Sequence, residues 1–180
     1  MSSIVISGDT SGAITLAAPS VAGTNTATLP AAAGTVMVSG NMPSFRAHQS
    51  ASSSLTSTTF TLVPINTKDW DTANNFNTST YTFTPTVAGY YQINATINVI
   101  GTAITRFILA FFKNGSQYSR PTDLAYSTTL AYYSGSDMVY MNGTTDYLQL
   151  YVYAIGTGLQ LYVPALNEWP TFSASLVRTS

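Results

Sequence analysis

From Gln92 to Val99 the chain alternates polar and apolar residues without a break. Ile93, Ala95, Ile97 and Val99 fall on one side, and Gln92, Asn94, Thr96 and Asn98 on the other. Successive side chains of an extended strand point to opposite faces, so this period of two specifies a strand with one buried and one solvated face. A helix needs apolar residues every three to four positions, and no window of the chain gives a convincing pattern of that kind. The period of two recurs. Thr58–Val63 sets Phe60 and Leu62 on one face, and Tyr81–Thr84 alternates Tyr81/Phe83 with Thr82/Thr84. Leu159–Val163 sorts Leu159, Leu161 and Val163 from Gln160 and Tyr162, and Thr171–Val177 turns Phe172, Ala174 and Leu176 inward. Many short strands at a spacing of about 8–12 residues predict an all-β sandwich or jelly roll.

Two segments carry more apolar surface than one core face requires. Phe107–Phe112 is apolar on both faces, which predicts a strand that is central or covered by another subunit. Tyr147–Tyr153 sorts Leu148, Leu150 and Val152 from Tyr147, Gln149, Tyr151 and Tyr153. The aliphatic set belongs in a core; the tyrosines make a second surface, apolar in body and polar at the tip. Contiguous aromatic surface marks an interaction site, and packing between identical subunits is its simplest use. The expected interface holds Phe107, Leu109, Phe111 or their face-mates, with some of Tyr147, Tyr151, Tyr153 and Tyr162.

Charge points the same way. Only 7% of the 180 residues are charged and the net charge is −1, against roughly a quarter charged in an average soluble domain. So weakly charged a surface favours association. It carries no basic excess for nucleic acid. The absence of cysteine excludes disulfides and thiolate metal sites. No stretch reaches the roughly 18 apolar residues of a membrane span, so membrane insertion is not expected. The opening MSSIVISGDTSG lacks the basic and apolar regions of a signal peptide. Synthesis in a cytoplasm, with any later exit by a route such as lysis, is the expectation.

Residues 1–40 differ from the rest. They hold no Tyr, Phe, Trp, Lys or Arg, and one acid, Asp9. Short alternating pairs (Ile4/Ile6, Ile14/Leu16, Ala27/Leu29, Val36/Val38) are punctuated by Gly8, Gly12, Gly23, Gly34, Pro19 and Pro30. This reads as short strands and turns, too small to bury a core without partner chains or a docking surface. A flexible linker is the alternative. The expected division is a segment 1–40 and a head 41–180.

Several ordered segments of the head resemble the C1q-like domain, a ten-stranded jelly roll of the tumour-necrosis-factor type. Ser44-Phe45-Arg46-Ala47 resembles its opening strand, and Tyr81-Thr82-Phe83-Thr84-Pro85-Thr86-Val87-Ala88-Gly89-Tyr90-Tyr91 its FTP…PG-Y-Y turn. Phe111-Phe112-Lys113-Asn114-Gly115 resembles the L-x-K-N-G hairpin, and Ser134-Gly135-Ser136-Asp137-Met138-Val139 the S-G-S strand. Thr145-Asp146-Tyr147-Leu148 stands for G-D-x-V, and Phe172-Ser173-Ala174-Ser175-Leu176-Val177 for the closing strand. The departures are Ala88 for Pro, and Thr145 and Ala174 for Gly. The resemblance covers about residues 43–180 and implies a homotrimer with an apolar axis. Residues 12–36, with Gly12-Ala13-Ile14-Thr15-Leu16, Pro19 through Pro30 and Gly34-Thr35-Val36, resemble a recurring bacteriophage tail-fibre element. Together the two resemblances imply a phage virion fibre assembled in the host cytoplasm. Residues 1–40 would attach to other virion proteins and form a trimeric stem, and the head would bind a host surface glycan or protein. The alternative is a capsid or baseplate decoration or connector protein with no receptor role.

The residues do not assemble a catalytic motif, and no enzyme is expected. His48, the single histidine, reads as a surface or interface residue. Asp69-Trp70-Asp71 is the one close carboxylate pair, but neighbouring strand residues point apart, and capping is the simpler role. No cofactor is expected. For calcium, which some C1q-like trimers bind, Asp69, Asp71, Asp137 and Asp146 have suitable oxygens without supporting spacing; Asp137 and Asp146 are the candidates retained. Strand alternation places Ile100–Thr105, Asn142–Asp146 and Pro164–Pro170 at the end away from the stem. The expected ligand-binding residues are Asn142, Thr144, Asn167, Glu168 and Trp169. Trp169 beside an amide and a carboxylate would make a sugar platform; the other reading makes it a packed loop anchor.

Overall fold

The computed structural model describes residues 3–8, 10–21, 23–26, 31, 36, 38, 40, 42–125, 128–164 and 170–180. They divide by contact into Met1–Gly34 and Thr35–Ser180. In the first unit β1 (Ser3–Ser7) and β2 (Ala13–Ala17) form an antiparallel hairpin, with Ile4 opposite Leu16 and Ile6 opposite Ile14. Gly12, at φ +78°, helps close the turn, and its carbonyl accepts the Gly8 N–H at 3.0 Å. All four of these apolar side chains are exposed within the chain. The Ala27/Leu29 piece lies outside the described residues, and Val36 and Val38 are in no strand.

The second unit is a two-sheet sandwich. Its strands are β3 (Ser44–His48), β4 (Ser53–Ser54), β5 (Thr61–Leu62), β6 (Thr67–Asp71), β7 (Phe76–Asn77), β8 (Thr82–Phe83), β9 (Gly89–Lys113), β10 (Ser116–Leu124), β11 (Thr128–Met141), β12 (Leu148–Leu161) and β13 (Thr171–Thr179). The outgoing half of β9 lies between β13 and β11, and β3 and β6 extend this first sheet beyond β13. The returning half lies between β10 and β12, with β4, β5 and β8 along β12 and β7 beyond β8. Among the described residues the head holds strands and no helix. This is the expected jelly roll.

At the crossing of β9, Gly101 lies close to its neighbours: a Cβ there would meet Leu159 Cδ2 at 2.7 Å and the Thr157 carbonyl oxygen at 3.1 Å. Ala103 beside it has φ +50°. Because β9 goes out and comes back, both its ends lie at one end of the sandwich. Gly89 pairs with Met141 and Thr179, and Lys113 Nζ donates to the Tyr140 carbonyl at 2.7 Å. The head's own chain ends lie there too, since Leu176 N–H donates to the Pro43 carbonyl at 3.1 Å.

Between the sheets the inward set of each strand packs as its alternation predicts. Ile93, Ala95, Ile97 and Val99 are buried, as are Leu148, Leu150, Val152, Phe172, Ala174 and Leu176. An aromatic cluster joins the layers. Phe45 stacks on Phe76 and Phe83 at 4.6 Å, and meets Phe172 edge-on at 5.2 Å. Such pairs contribute roughly 0.5–1.5 kcal/mol beyond burial. Tyr91 joins this core through Phe83 at 5.5 Å and donates its hydroxyl to the Val87 carbonyl; burial pushes its pKa up to about 12.

Three interface expectations are corrected here. Phe107, Leu109 and Phe111 are 0% exposed inside the single chain and offer nothing to a partner. They are the core-facing set of their strand; Phe107 stacks on Tyr133 at 4.6 Å and Phe111 on Phe172 at 5.9 Å. Ile108 and Ala110, on the opposite, outer face of the strand, are also buried within the chain, where they pair with Tyr153 and Tyr151. Two alternations also differ. Tyr81 has φ +58°, which takes it out of the strand that holds Phe83. Phe60 lies on the outer side against Phe112 and Tyr153, whereas Val63 enters the core.

Candidate functional site

The loop between β11 and β12 is a knot of hydrogen bonds that extends to the β9–β10 turn. Asn142 Oδ1 accepts the N–H groups of Thr144, Thr145 and Asp146, and its Nδ2 donates to Thr145 Oγ1. Asp146 returns the contact. Its Oδ2 accepts Asn142 N–H at 3.0 Å and pairs with Lys113 Nζ at 2.8 Å, and its Oδ1 accepts from Asn114 Nδ2 at 2.8 Å. Asn114 Oδ1 in turn accepts Tyr147 N–H. Burial alone would raise the Asp146 pKa, but the Lys113 ammonium, the Asn114 amide and the Asn142 N–H outweigh it and hold the carboxyl below its ordinary range. Gly143, at φ +71°, lies against Ala88, whose carbonyl accepts Ser180 N–H. The loop is therefore at the end where the head's chain ends, not the far end. Asn142 and Thr144 are corrected accordingly. β11 pairs antiparallel with the outgoing half of β9, so it must finish beside Gly89. The Asn142 amide is committed to holding the loop. Asn167, Glu168 and Trp169 lie outside the described residues.

The other chemical candidates are tied up structurally. Asp69 pairs with Arg46, and its Oδ1 lies 2.8 Å from His48 Nδ1. His48 is buried on β3 rather than at the surface. Asp71 accepts the N–H groups of Asn75 and Phe76 and pairs with Lys68. Burial raises its pKa, but these partners together lower it below the ordinary value. The two aspartates therefore serve separate partners, as their alternation implies. Of the calcium candidates, Asp137 accepts Met138 N–H and Asp146 is neutralised by Lys113. Among the described residues no group of three metal-ligating acids or histidines occurs.

The two outer faces of the sandwich differ. On the second sheet Tyr151 stacks on Phe112 at 4.1 Å, Phe60 lies 5.3 Å from Tyr153, and the Arg120 guanidinium lies 5.6 Å from the Phe60 ring. Tyr147, Tyr151, Tyr153 and Tyr162 are half-buried. On the first sheet the larger side chains are open. Leu130, Tyr132, Met138 and Tyr140 of β11 are 39%, 46%, 47% and 40% exposed. Tyr140 pairs across the strands with Tyr90, rings 5.4 Å apart, and Arg178 lies over Tyr90 at 4.8 Å. Between these apolar ends runs a hydroxyl and amide band. Asn94 of β9 lies between Ser136 of β11 and Ser173 of β13, and Thr96 between Ser134 and Thr171. Asn94, Thr96, Ser134, Ser136 and Thr171 line a depression of about 510 Å³. The sequence reading missed this face because Tyr132, Ser134, Ser136, Met138 and Tyr140 mix aromatic, small and thioether residues. Their shared period of two was the available signal.

No protein-family model matches the chain, and no curated protein matches it by sequence. The fold has solved counterparts. The globular domain of zebrafish complement 1qA protein matches with a TM-score of 0.55 at 16% identity, over 77% of this chain and 98% of that one. Murine APRIL matches with a TM-score of 0.53 at 9% identity, over 76% of this chain and 99% of that one. The head is a jelly roll of the C1q and tumour-necrosis-factor type.

Proposed function

We propose that the chain is a homotrimeric phage virion fibre protein whose head binds a component of the bacterial surface. The observation that carries the trimer is the open apolar face of the first sheet. Leu130, Tyr132, Met138 and Tyr140 give one strand an exposed row that a charge-poor monomer has little reason to keep. Three copies joined through this face would bury both apolar ends and solvate the hydroxyl band between them. This moves the proposed contact from Tyr147, Tyr151, Tyr153 and Tyr162, which already pack partly within their own chain, to the row on β11. The fibre assignment rests on the resemblance of residues 12–36 to tail-fibre elements. The hairpin supports it, because a lone two-stranded sheet is marginal in water and its Ile4, Ile6, Ile14 and Leu16 face calls for a partner. Three equivalent heads would give avidity without tight single-site affinity.

The hairpin equally supports the second reading, a capsid or baseplate connector that touches only virion proteins. Pull-down of purified full-length protein against host cells and against virion proteins separates the two. Cell binding supports the fibre; binding to virion proteins alone supports the connector.

A further inference from the structure

At the β7 edge of the second sheet lies an open groove of about 410 Å³ lined by Asn74, Asn75, Asn77, Thr78, Thr82 and Thr84, with Phe76 beside them. Its volume falls in the range of roughly 300–1,000 Å³ usual for small-ligand sites. Its chemistry is narrow. Apart from Phe76, every lining side chain is an amide or an alcohol, and none is charged. The neighbouring charges are spent on each other, because Lys68 Nζ holds Asp71 at 3.2 Å and Asn74 Oδ1 at 3.0 Å. A charged ligand would find no counter-charge here. Phe76 is 3% exposed and stacked on Phe45, so its ring belongs to the core and gives no apolar floor for a peptide side chain.

What the groove holds is unspent hydrogen-bonding capacity. The Thr78 and Thr84 hydroxyls make no bond among the described residues. Asn77 Oδ1 accepts the N–H groups of Ser79 and Thr80, leaving its Nδ2 unused. Asn75 is 6% exposed, and its Oδ1 has no partner. That acceptor is sealed from solvent, so the capacity open to a ligand is that of Thr78, Thr84 and the Asn77 amide. Asn74, itself a lining residue, has φ +53°, and Tyr81, between the two lining segments, has φ +58°. The left-handed region is uncommon for residues other than glycine, and such conformations cluster at binding sites.

We infer that this groove binds a neutral polyhydroxylated ligand, a hexose unit of a glycan. A sugar presents adjacent hydroxyls, each donor and acceptor at once, which is the complement of amides and alcohols without charge. The inference rests on the fibre reading for its biological setting, where it gives the bacterial component a chemical class. The groove is on the second sheet, away from the face assigned to trimer contacts, so a trimer would carry three open copies.

The test is saturation-transfer NMR on the full-length protein with D-glucose, D-galactose, D-mannose and N-acetyl-D-glucosamine, compared with a Thr78→Val/Thr84→Val variant of unchanged melting temperature and mass. Asn77→Ala is the second variant, should the double one fail to fold. The expected result is transfer to at least one sugar, reduced about fivefold or more in the variant. No transfer to any of the four, or equal transfer in the variant, overturns the inference. Cell pull-down with the same variant keeps the two readings apart. Lost binding by an intact variant supports the groove. Retained binding overturns the groove as the contact and leaves the fibre reading standing. Sugar uptake by a wild type that binds no cells supports the groove and overturns the fibre reading.

Discussion

Replacing Asp146 by alanine removes the one carboxylate that ties the β9–β10 hairpin to the β11–β12 loop. Three partners lose an acceptor at once: Asn142 N–H, Lys113 Nζ and Asn114 Nδ2. Asp146 is only 8% exposed, so water replaces the carboxylate poorly. Breaking a buried ion pair costs about 3–5 kcal/mol. Lys113 keeps its bond to the Tyr140 carbonyl and its side chain is 22% exposed, which lowers the expected loss to about 2–4 kcal/mol. For a chain of this size that corresponds to a melting temperature lower by roughly 5–15 °C. The assay is thermal unfolding by circular dichroism at neutral pH and at one protein concentration, because assembly makes the midpoint concentration-dependent. The folded pKa of Asp146 is lowered. Its contribution is therefore complete above the unfolded carboxylate pKa and is lost as pH falls through the folded value. The gap between wild type and Asp146→Asn should be widest at neutral pH and shrink on acidification. An Asp146→Ala variant that melts with the wild type, or a gap that does not narrow in acid, would refute the reasoning.

Gly143→Ala should destabilise the same loop by more than the roughly 1–2 kcal/mol of a left-handed alanine, because its Cβ would meet Ala88 N at 2.4 Å; urea unfolding measures it. Phe111→Ala should cost about 3–5 kcal/mol through its core cavity, without the selective loss of assembly that an interface residue would show; paired denaturation and light scattering check this. Met138→Lys with Tyr140→Lys should leave the secondary structure unchanged but shift the solution mass toward the monomer, since both side chains are exposed in the isolated chain.

The period of two carried most of the fold, because a half-buried strand writes its burial directly into the order of its residues. The apolar members of Ile93–Val99, Leu148–Val152 and Phe172–Leu176 are buried as their alternation predicts, while Asn98 of the polar set is buried too. Phe107–Phe112 shows where that signal stops. Apolar residues on both faces announce that both are covered, without saying by what, and here the chain's own sheets and outer aromatic cluster cover them. Asn142 and Thr144 were misplaced for a topological reason. The end at which a loop emerges depends on β9 turning back at Gly101, and local pattern does not encode the direction of return. The groove at Asn74–Thr84 was invisible as a site because each residue by itself reads as a turn former. Only the pairing of β7 with β8 brings them together. Two departures from the C1q-like pattern that the head resembles are explained locally. Thr145 is not in the left-handed region, and Ala174 fits its core position at 3% exposure, so neither needs glycine.

The measurement that bears most directly on the central claim is solution mass by light scattering, for the full-length protein and for residues 41–180, each followed by pull-down against host cells. The account predicts a trimeric head that binds cells without its N-terminal segment. A monomeric head, or a trimeric head that binds no cells, would contradict it. The first outcome would move assembly to residues 1–40, and the second would put the connector reading first.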